Sequence, residues 1–310
     1  MTEVAFILAA GLGTRLRPLT DELPKPLVPI FNKPLITFAL DHLIAAGVQR
    51  FVINTHRLPH LFAQMFASGS YRGHAVQLIH EPDLLETGGG IKNAEPFLAE
   101  ETFITYSGDI LTDLDLQPLI AEHFRAGNDV TLALRETGLG AEIAFQDGRV
   151  TAIAKAPGNF DFANIAVWNR GIFSRLLPGK KTSFIPVLAE WIREGGKIGG
   201  VVVNDGKWFN IGSAAEYLNV HRTIFSQNWK PPYVRDADWP RTVASSAVVA
   251  AKAELRGCSA IGDDCRVADD ARLTDTILWP GSQVAPRSEL RSCIVRAGRS
   301  AEGIIEDTVI

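Results

Sequence analysis

The chain has 310 residues, 46% of them hydrophobic, and a net charge of −4; it can form two domains, and it lacks the strongly basic balance of a protein with a broad nucleic-acid surface. No apolar run reaches the roughly 20 residues of a membrane span, and the first strand begins with no basic region ahead of it, so neither a span nor a signal peptide is expected. The only cysteines, Cys258, Cys265 and Cys293, are odd in number and lack metal-ligand spacing, which points to a reducing, cytoplasmic setting.

Val4 to Leu8 reads as a buried strand running into the turn Gly11-Leu12-Gly13-Thr14-Arg15. Glycines let backbone N–H groups approach an anion, and a guanidinium matches phosphate oxygens. The turn lacks the third glycine of the dinucleotide fingerprint and has no Gly-Lys-Ser/Thr, so alone it fits a structural turn as well as a phosphate site. Lys25 follows between Pro24 and Pro26, whose fixed φ should hold it in place.

Leu35 to Ala46 has helical spacing, Arg50 to Asn54 reads as a strand, Leu58 to Ala67 as a helix, Ala75 to His80 as a strand, and Phe103 to Ser107 as another, ending at Gly108-Asp109. Such alternation predicts an α/β domain with a mostly parallel, Rossmann-like sheet. Ligands of such sheets bind at the carboxyl ends of strands, where the glycine turn and Asp109 fall. Asp109 suits Mg²⁺, although an aspartate there also fits a turn or a cap. Glu86-Thr87-Gly88-Gly89-Gly90 could let a flat base lie against backbone, or could be a loop or a helix start.

Near residue 229 the character changes. Trp229-Lys230-Pro231-Pro232 opens a connecting stretch, giving expected domains of 1–228 and 242–310 joined by 229–241. Val243, Val249, Leu255, Ile261, Val267 and Leu273 then recur every six residues, and after a one-residue slip the beat resumes at Leu278, Val284 and Leu290. Small residues stand two positions earlier, among them Ala253, Ser259, Cys265 and Ala271. Hexad periodicity predicts a short left-handed parallel β-helix.

The extended pattern Leu8-Ala-Ala-Gly-Leu-Gly-Thr-Arg-Leu-Arg-Pro-Leu-Thr20, then Pro24-Lys-Pro-Leu-Val-Pro-Ile30 and Lys33-Pro-Leu-Ile36, resembles the N-terminal signature of sugar-1-phosphate nucleotidylyltransferases. The resemblance covers roughly residues 3–225, and its Glu86 segment is most similar to mannose-1-phosphate guanylyltransferase and N-acetylmuramate-1-phosphate uridylyltransferase branches. It implies a nucleotidyltransferase domain acting on an NTP and a sugar 1-phosphate with Mg²⁺, with Arg15, Lys25 and Asp109 catalytic. Leu8, Ala10, Gly11, Gly13, Thr14, Glu86, Thr87 and Gly88 would contact nucleotide; Gly140, Lys155 and Asn164 the sugar phosphate; Asp109 and Asn210 the metal.

Three departures stand out. Trp208-Phe209-Asn210-Ile211-Gly212-Ser213 has asparagine where the resemblance implies aspartate, so the second metal contact is neutral. Ala154-Lys155-Ala156-Pro157 lacks a sugar-holding glutamate, and Asn164 replaces a sugar-facing glycine. These leave a regulatory, catalytically weak paralogue as the rival reading. The β-helix is expected to mediate self-association. With no histidine after His221, acetyl transfer on the β-helix is not expected.

Overall fold

The computed structural model describes residues 2–99, 102–137, 142–153 and 158–310. They form two compact units, Met1–Leu12 with Ala39–Trp208, and Gly13–Phe38 with Phe209–Ile310.

The first unit is built on a ten-stranded sheet. Its strands are β1 (Val4–Leu8), β2 (Arg50–Thr55), β3 (Ser70–Tyr71), β4 (His74–His80), β5 (Phe103–Ser107), β6 (Val130–Arg135), β7 (Ile143–Gln146), β8 (Arg149–Ile153), β9 (Asp161–Trp168) and β10 (Ile198–Val202). Their spatial order is β7-β8-β10-β6-β9-β5-β1-β2-β4-β3. The block β5-β1-β2-β4 is parallel throughout, with Val4 opposite both Arg50 and Phe103. Parallel strands are covered on both faces, which is why β1 reads as an unbroken apolar run. All four strands of this block end on one edge.

Strand β9 is antiparallel to both β5 and β6, making the sheet mixed on that side. A hairpin joins β7 and β8 through Asp147 and Gly148, both at positive φ, as an Asp-Gly turn requires. Helices Pro59–Met65, Glu86–Asn93 and Gln117–Ala126 lie between strands. Phe6, Phe103, Trp168, Phe184 and Leu188 belong to the core. No helix among the described residues is long and apolar enough to cross a membrane.

The second unit combines Gly13–Phe38 with the helix Ala214–Ser226 and the hexad region. The hexads form three parallel sheets, whose first strands are Val248–Val249, Glu254–Arg256 and Ala260–Ile261, giving the prism of a left-handed β-helix. Val248 lies beside Arg266 and Arg266 beside Gln283, so the sequence slip turns an 18-residue coil into one of 17. Ile261, Val267, Leu273, Leu278, Val284 and Leu290 fill the interior with the small residues Cys265 and Ala271. The Ser259 hydroxyl donates to Arg256 and Leu273 carbonyls and accepts from the Thr276 amide, so a small polar corner stitches coils together.

The prism is tied to the N-terminal segment of its own unit. Phe31 and Asn32 both adopt positive φ, and the Phe31 amide donates to His221 Nε2 at 3.2 Å. Burial pushes the His221 pKa down to about 4, leaving the ring neutral at pH 7 and able to accept that bond. Asn32 donates to the carbonyls of Arg241 and Ile261, and Trp279 Nε1 donates to Tyr217 Oη, which donates to the Pro29 carbonyl. Glu22 accepts from Arg296 and Arg299 at 3.0 and 2.9 Å. Residues 229–241 also belong here: Tyr233, Val234 and Trp239 are buried, and Trp239 packs edge-on against Phe31 and Phe38 and donates to the Ile30 carbonyl.

Candidate active site

In the first unit the Leu8 carbonyl accepts the Gly108 amide at 2.9 Å, which sets the exit of β5, and with it Asp109, beside the exit of β1. Asp109 is half-buried, and its Oδ1 accepts the Ser107 hydroxyl at 2.7 Å. Ala9 and Ala10 are buried, whereas Gly11 is exposed and a Cβ there would meet no protein atom within 4 Å. Protein packing therefore does not require glycine at position 11.

The triple glycine is a helix start. Glu86 takes φ +60 and begins the helix Glu86–Asn93. The Gly88 and Gly89 amides both donate to the Thr182 carbonyl, and Thr87 Oγ1 accepts the Phe184 amide. A Cβ would stand 2.9 Å from the Thr182 carbonyl oxygen at Gly88 and 2.5 Å from that of Lys180 at Gly89. These glycines thus permit close packing of the helix on residues 180–184. Glu86 remains exposed, 3.6 Å from the Lys181 ammonium.

Asn164 lies in β9, where the register with β6 shifts, and has φ +63. That conformation favours glycine and tolerates asparagine best among larger residues. Asn164→Gly should leave the melting temperature nearly unchanged. Asn164→Val should cost about 1–2 kcal/mol, the penalty for a side chain clashing in the left-handed region, read as a lower midpoint in a circular-dichroism melt. Gly140 and Lys155 lie outside the described residues.

The second unit holds the cations. Gly13 has φ +62, and its Cβ would come within 2.9 Å of Thr20 and 3.3 Å of Lys25, so this glycine shapes the turn. Its carbonyl accepts the Thr20 hydroxyl. Thr14 and Arg15 are exposed in the short 3₁₀ turn Thr14–Leu16. Lys25 opens another such turn behind Pro24; it is only 7% exposed, and its Nζ donates to Asn210 Oδ1 at 3.3 Å.

Glu216, absent from the sequence reading, completes this arrangement with Gly212 and Ser213. A Cβ on Gly212 would lie 3.3 Å from the Arg15 guanidinium carbon, and the Gly212 amide donates to Glu216 Oε2. Glu216 also accepts from the Ser213 hydroxyl, whose oxygen in turn accepts the Glu216 amide. The spacing Ser213-x-x-Glu216 ahead of an apolar helix is the signal that could have identified Glu216.

The sequence profile described as "Nucleotidyl transferase" matches residues 4–227. The chain belongs to the nucleotidyl transferase family. A mannose-1-phosphate guanylyltransferase of Mycobacterium tuberculosis is 29% identical over 290 residues, covering 90% of this chain and 80% of that protein. An N-acetylmuramate alpha-1-phosphate uridylyltransferase of Neisseria meningitidis is 31% identical over 216 residues, 67% of this chain and 93% of that protein. Another uridylyltransferase of that name, from Caulobacter vibrioides, is 43% identical over 101 residues, 32% of this nucleotidyl transferase and 42% of its own length.

Proposed function

We propose that the protein transfers a nucleotidyl group from an NTP to a sugar 1-phosphate, releasing pyrophosphate and an NDP-sugar. The supporting observation is the pair of cations in the second unit: Lys25 is buried and its Nζ donates to Asn210, while Arg15 is exposed. A phosphate oxygen of the sugar phosphate attacks the α-phosphorus, and the bond to the leaving pyrophosphate breaks. Several anionic oxygens must be brought together, so fixed cations lower the barrier. Arg15 grips the leaving pyrophosphate and Lys25 faces the α-phosphate. The open side of Gly11 leaves room for phosphate to approach the Ala10–Gly13 backbone. Glu86 and Thr87, with Leu8 and Gly88, frame the base; Asn164, with Gly140 and Lys155, serves the sugar phosphate.

Asp109 and Asn210 supply hard oxygens suited to Mg²⁺, and no group of three or more acidic, His or Cys side chains that could hold a metal occurs among the described residues. Each of these two residues is a donor of the kind this ion takes together with phosphate oxygens. Mg²⁺ would neutralise phosphate charge. We place guanine or uracil as the base, and mannose or an N-acetylated sugar as acceptor, on the named relatives. The three free, buried cysteines support a cytoplasmic setting, and exposed Val248 and Ile304 on coil strands support self-association of the β-helix.

The rival reading, a nucleotide-binding regulator, rests on Asn210. A pyrophosphate-release screen of four NTPs against a panel of sugar 1-phosphates with Mg²⁺ separates the two. Release by the native chain with GTP or UTP, abolished by chelation, is expected. Release seen only after Asn210→Asp would establish the regulator instead.

A further inference from the structure

Glu81 follows β4 and is completely buried, yet among the described residues it forms no ion pair. Its Oε1 accepts from Asn54 Nδ2 at 2.8 Å and its Oε2 from the Leu85 amide at 3.1 Å. Asn54, on β2 and also buried, accepts the Ala9 amide through Oδ1 at 2.7 Å. His56 Nδ1 meets the Glu81 carbonyl at 2.7 Å. One carboxylate therefore spans the ends of three adjacent strands, β1, β2 and β4. It fixes the amide just ahead of Ala10-Gly11 and the amide just ahead of Glu86-Thr87.

Burying a carboxylate costs several kcal/mol unless its oxygens are hydrogen-bonded. A pure core position would be filled at lower cost by an apolar residue, so this placement suits a group that must fix the direction of its donors. Gly90 belongs to the same device: a Cβ there would stand 2.9 Å from Asn54 Nδ2 and 3.0 Å from Glu81 Oε1. Only a glycine lets the helix Glu86–Asn93 pass the pair. An ionised carboxylate accepts from both amides at once, whereas a carboxamide must turn its NH₂ toward one of them.

We infer that Glu81, acting through Asn54, is a positioning residue that sets the spacing between the two segments assigned to the nucleotide. The inference rests on the proposed function for its kinetic consequence, not for its geometry. Glu81→Gln places a donor against a donor; the repulsion displaces the side chain that Asn54 and Leu85 share, and with it Asn54, so Ala9 and Leu85 should loosen together without any change at Arg15, Lys25 or Asp109.

The test uses the full chain. For Glu81→Gln the KM of the accepted NTP should rise tenfold or more, with the sugar 1-phosphate KM within twofold and kcat at saturating NTP within threefold. Backbone amide exchange should quicken at Ala9 and at Leu85 in the same variant. A change equal for both substrates, an unchanged NTP KM, or faster exchange at Leu85 alone would overturn the inference. If Glu81→Gln does not fold, Gly90→Ala is read by the same measurements and the same criteria, since its methyl displaces the pair while keeping both side chains. If the native chain releases no pyrophosphate with any substrate, the proposed function fails, and the coupled exchange of Ala9 and Leu85 still decides the structural claim.

Discussion

Lys25→Ala should lower pyrophosphate release about 10²–10³-fold at saturating substrates, the usual loss when one fixed donor to a developing anion is removed. Lys25→Met should do the same. It keeps the buried stem and deletes the ammonium, so a matching loss in both variants assigns the effect to charge. The melting temperature of Lys25→Met, measured alongside turnover, separates loss of charge from loss of fold. Lys25→Arg should not restore activity, since a planar fork cannot replace a compact ammonium in a buried position. Full turnover in Lys25→Met would remove the residue from the mechanism, and with it the main support for the proposed reaction.

The second large effect concerns the hexad region. A chain ending at residue 228 should fail to give a stable, active protein, with a midpoint more than 10 °C below that of the full chain or with recovery only as aggregate. Phe31, Phe38, Tyr217 and His221 are fully or almost fully buried in the second unit, and their partners include Trp239 and Trp279. Cutting at 228 strips both tryptophans, and loss of one large buried aromatic typically costs about 3–5 kcal/mol. The Neisseria relative shows why the outcome is informative: a third of this chain has no counterpart in that alignment, which nevertheless covers 93% of the relative. A soluble 1–228 fragment with full pyrophosphate release would mean that the N-terminal segment holds its shape without the prism.

The parallel block is legible in the sequence where burial on both faces leaves an uninterrupted apolar run, as at Val4–Leu8, or one broken only by a small hydroxyl residue, as at Phe103–Tyr106. The hexads were legible because each coil repeats the same steric demand. The antiparallel strands around Ile143–Gln146 and Arg149–Ile153 were passed over, although Asp147-Gly148 carried the hairpin signal. For the site, the prolines flanking Lys25 point to a held ammonium, and the structure buries the residue and hydrogen-bonds its Nζ to Asn210. The glycines at 88–90 fit a base platform, a loop or a helix start in the sequence; in the structure they start a helix and make close contacts with residues 180–184 and with Asn54. Glu81 and Asn54 left no trace in the pattern, because a single polar residue at a strand end resembles any turn former. Nor could sequence order reveal that Gly13–Phe38 packs with the C-terminal residues, since that depends on contacts about 200 positions away.

Solenoids ordinarily change length by gaining or losing whole turns. Here that freedom is closed. Asn32 reaches Ile261, Tyr217 reaches Trp279, and Glu22 reaches Arg296 and Arg299, three attachments at successive levels of the prism. Each added turn would displace everything beyond it by about 4.8 Å, the spacing of neighbouring strands. A duplication between Ile261 and Trp279 would leave the later attachments without their partners, so the N-terminal segment and the helix Ala214–Ser226 act as a gauge that fixes the number of turns between Ile261 and Arg296.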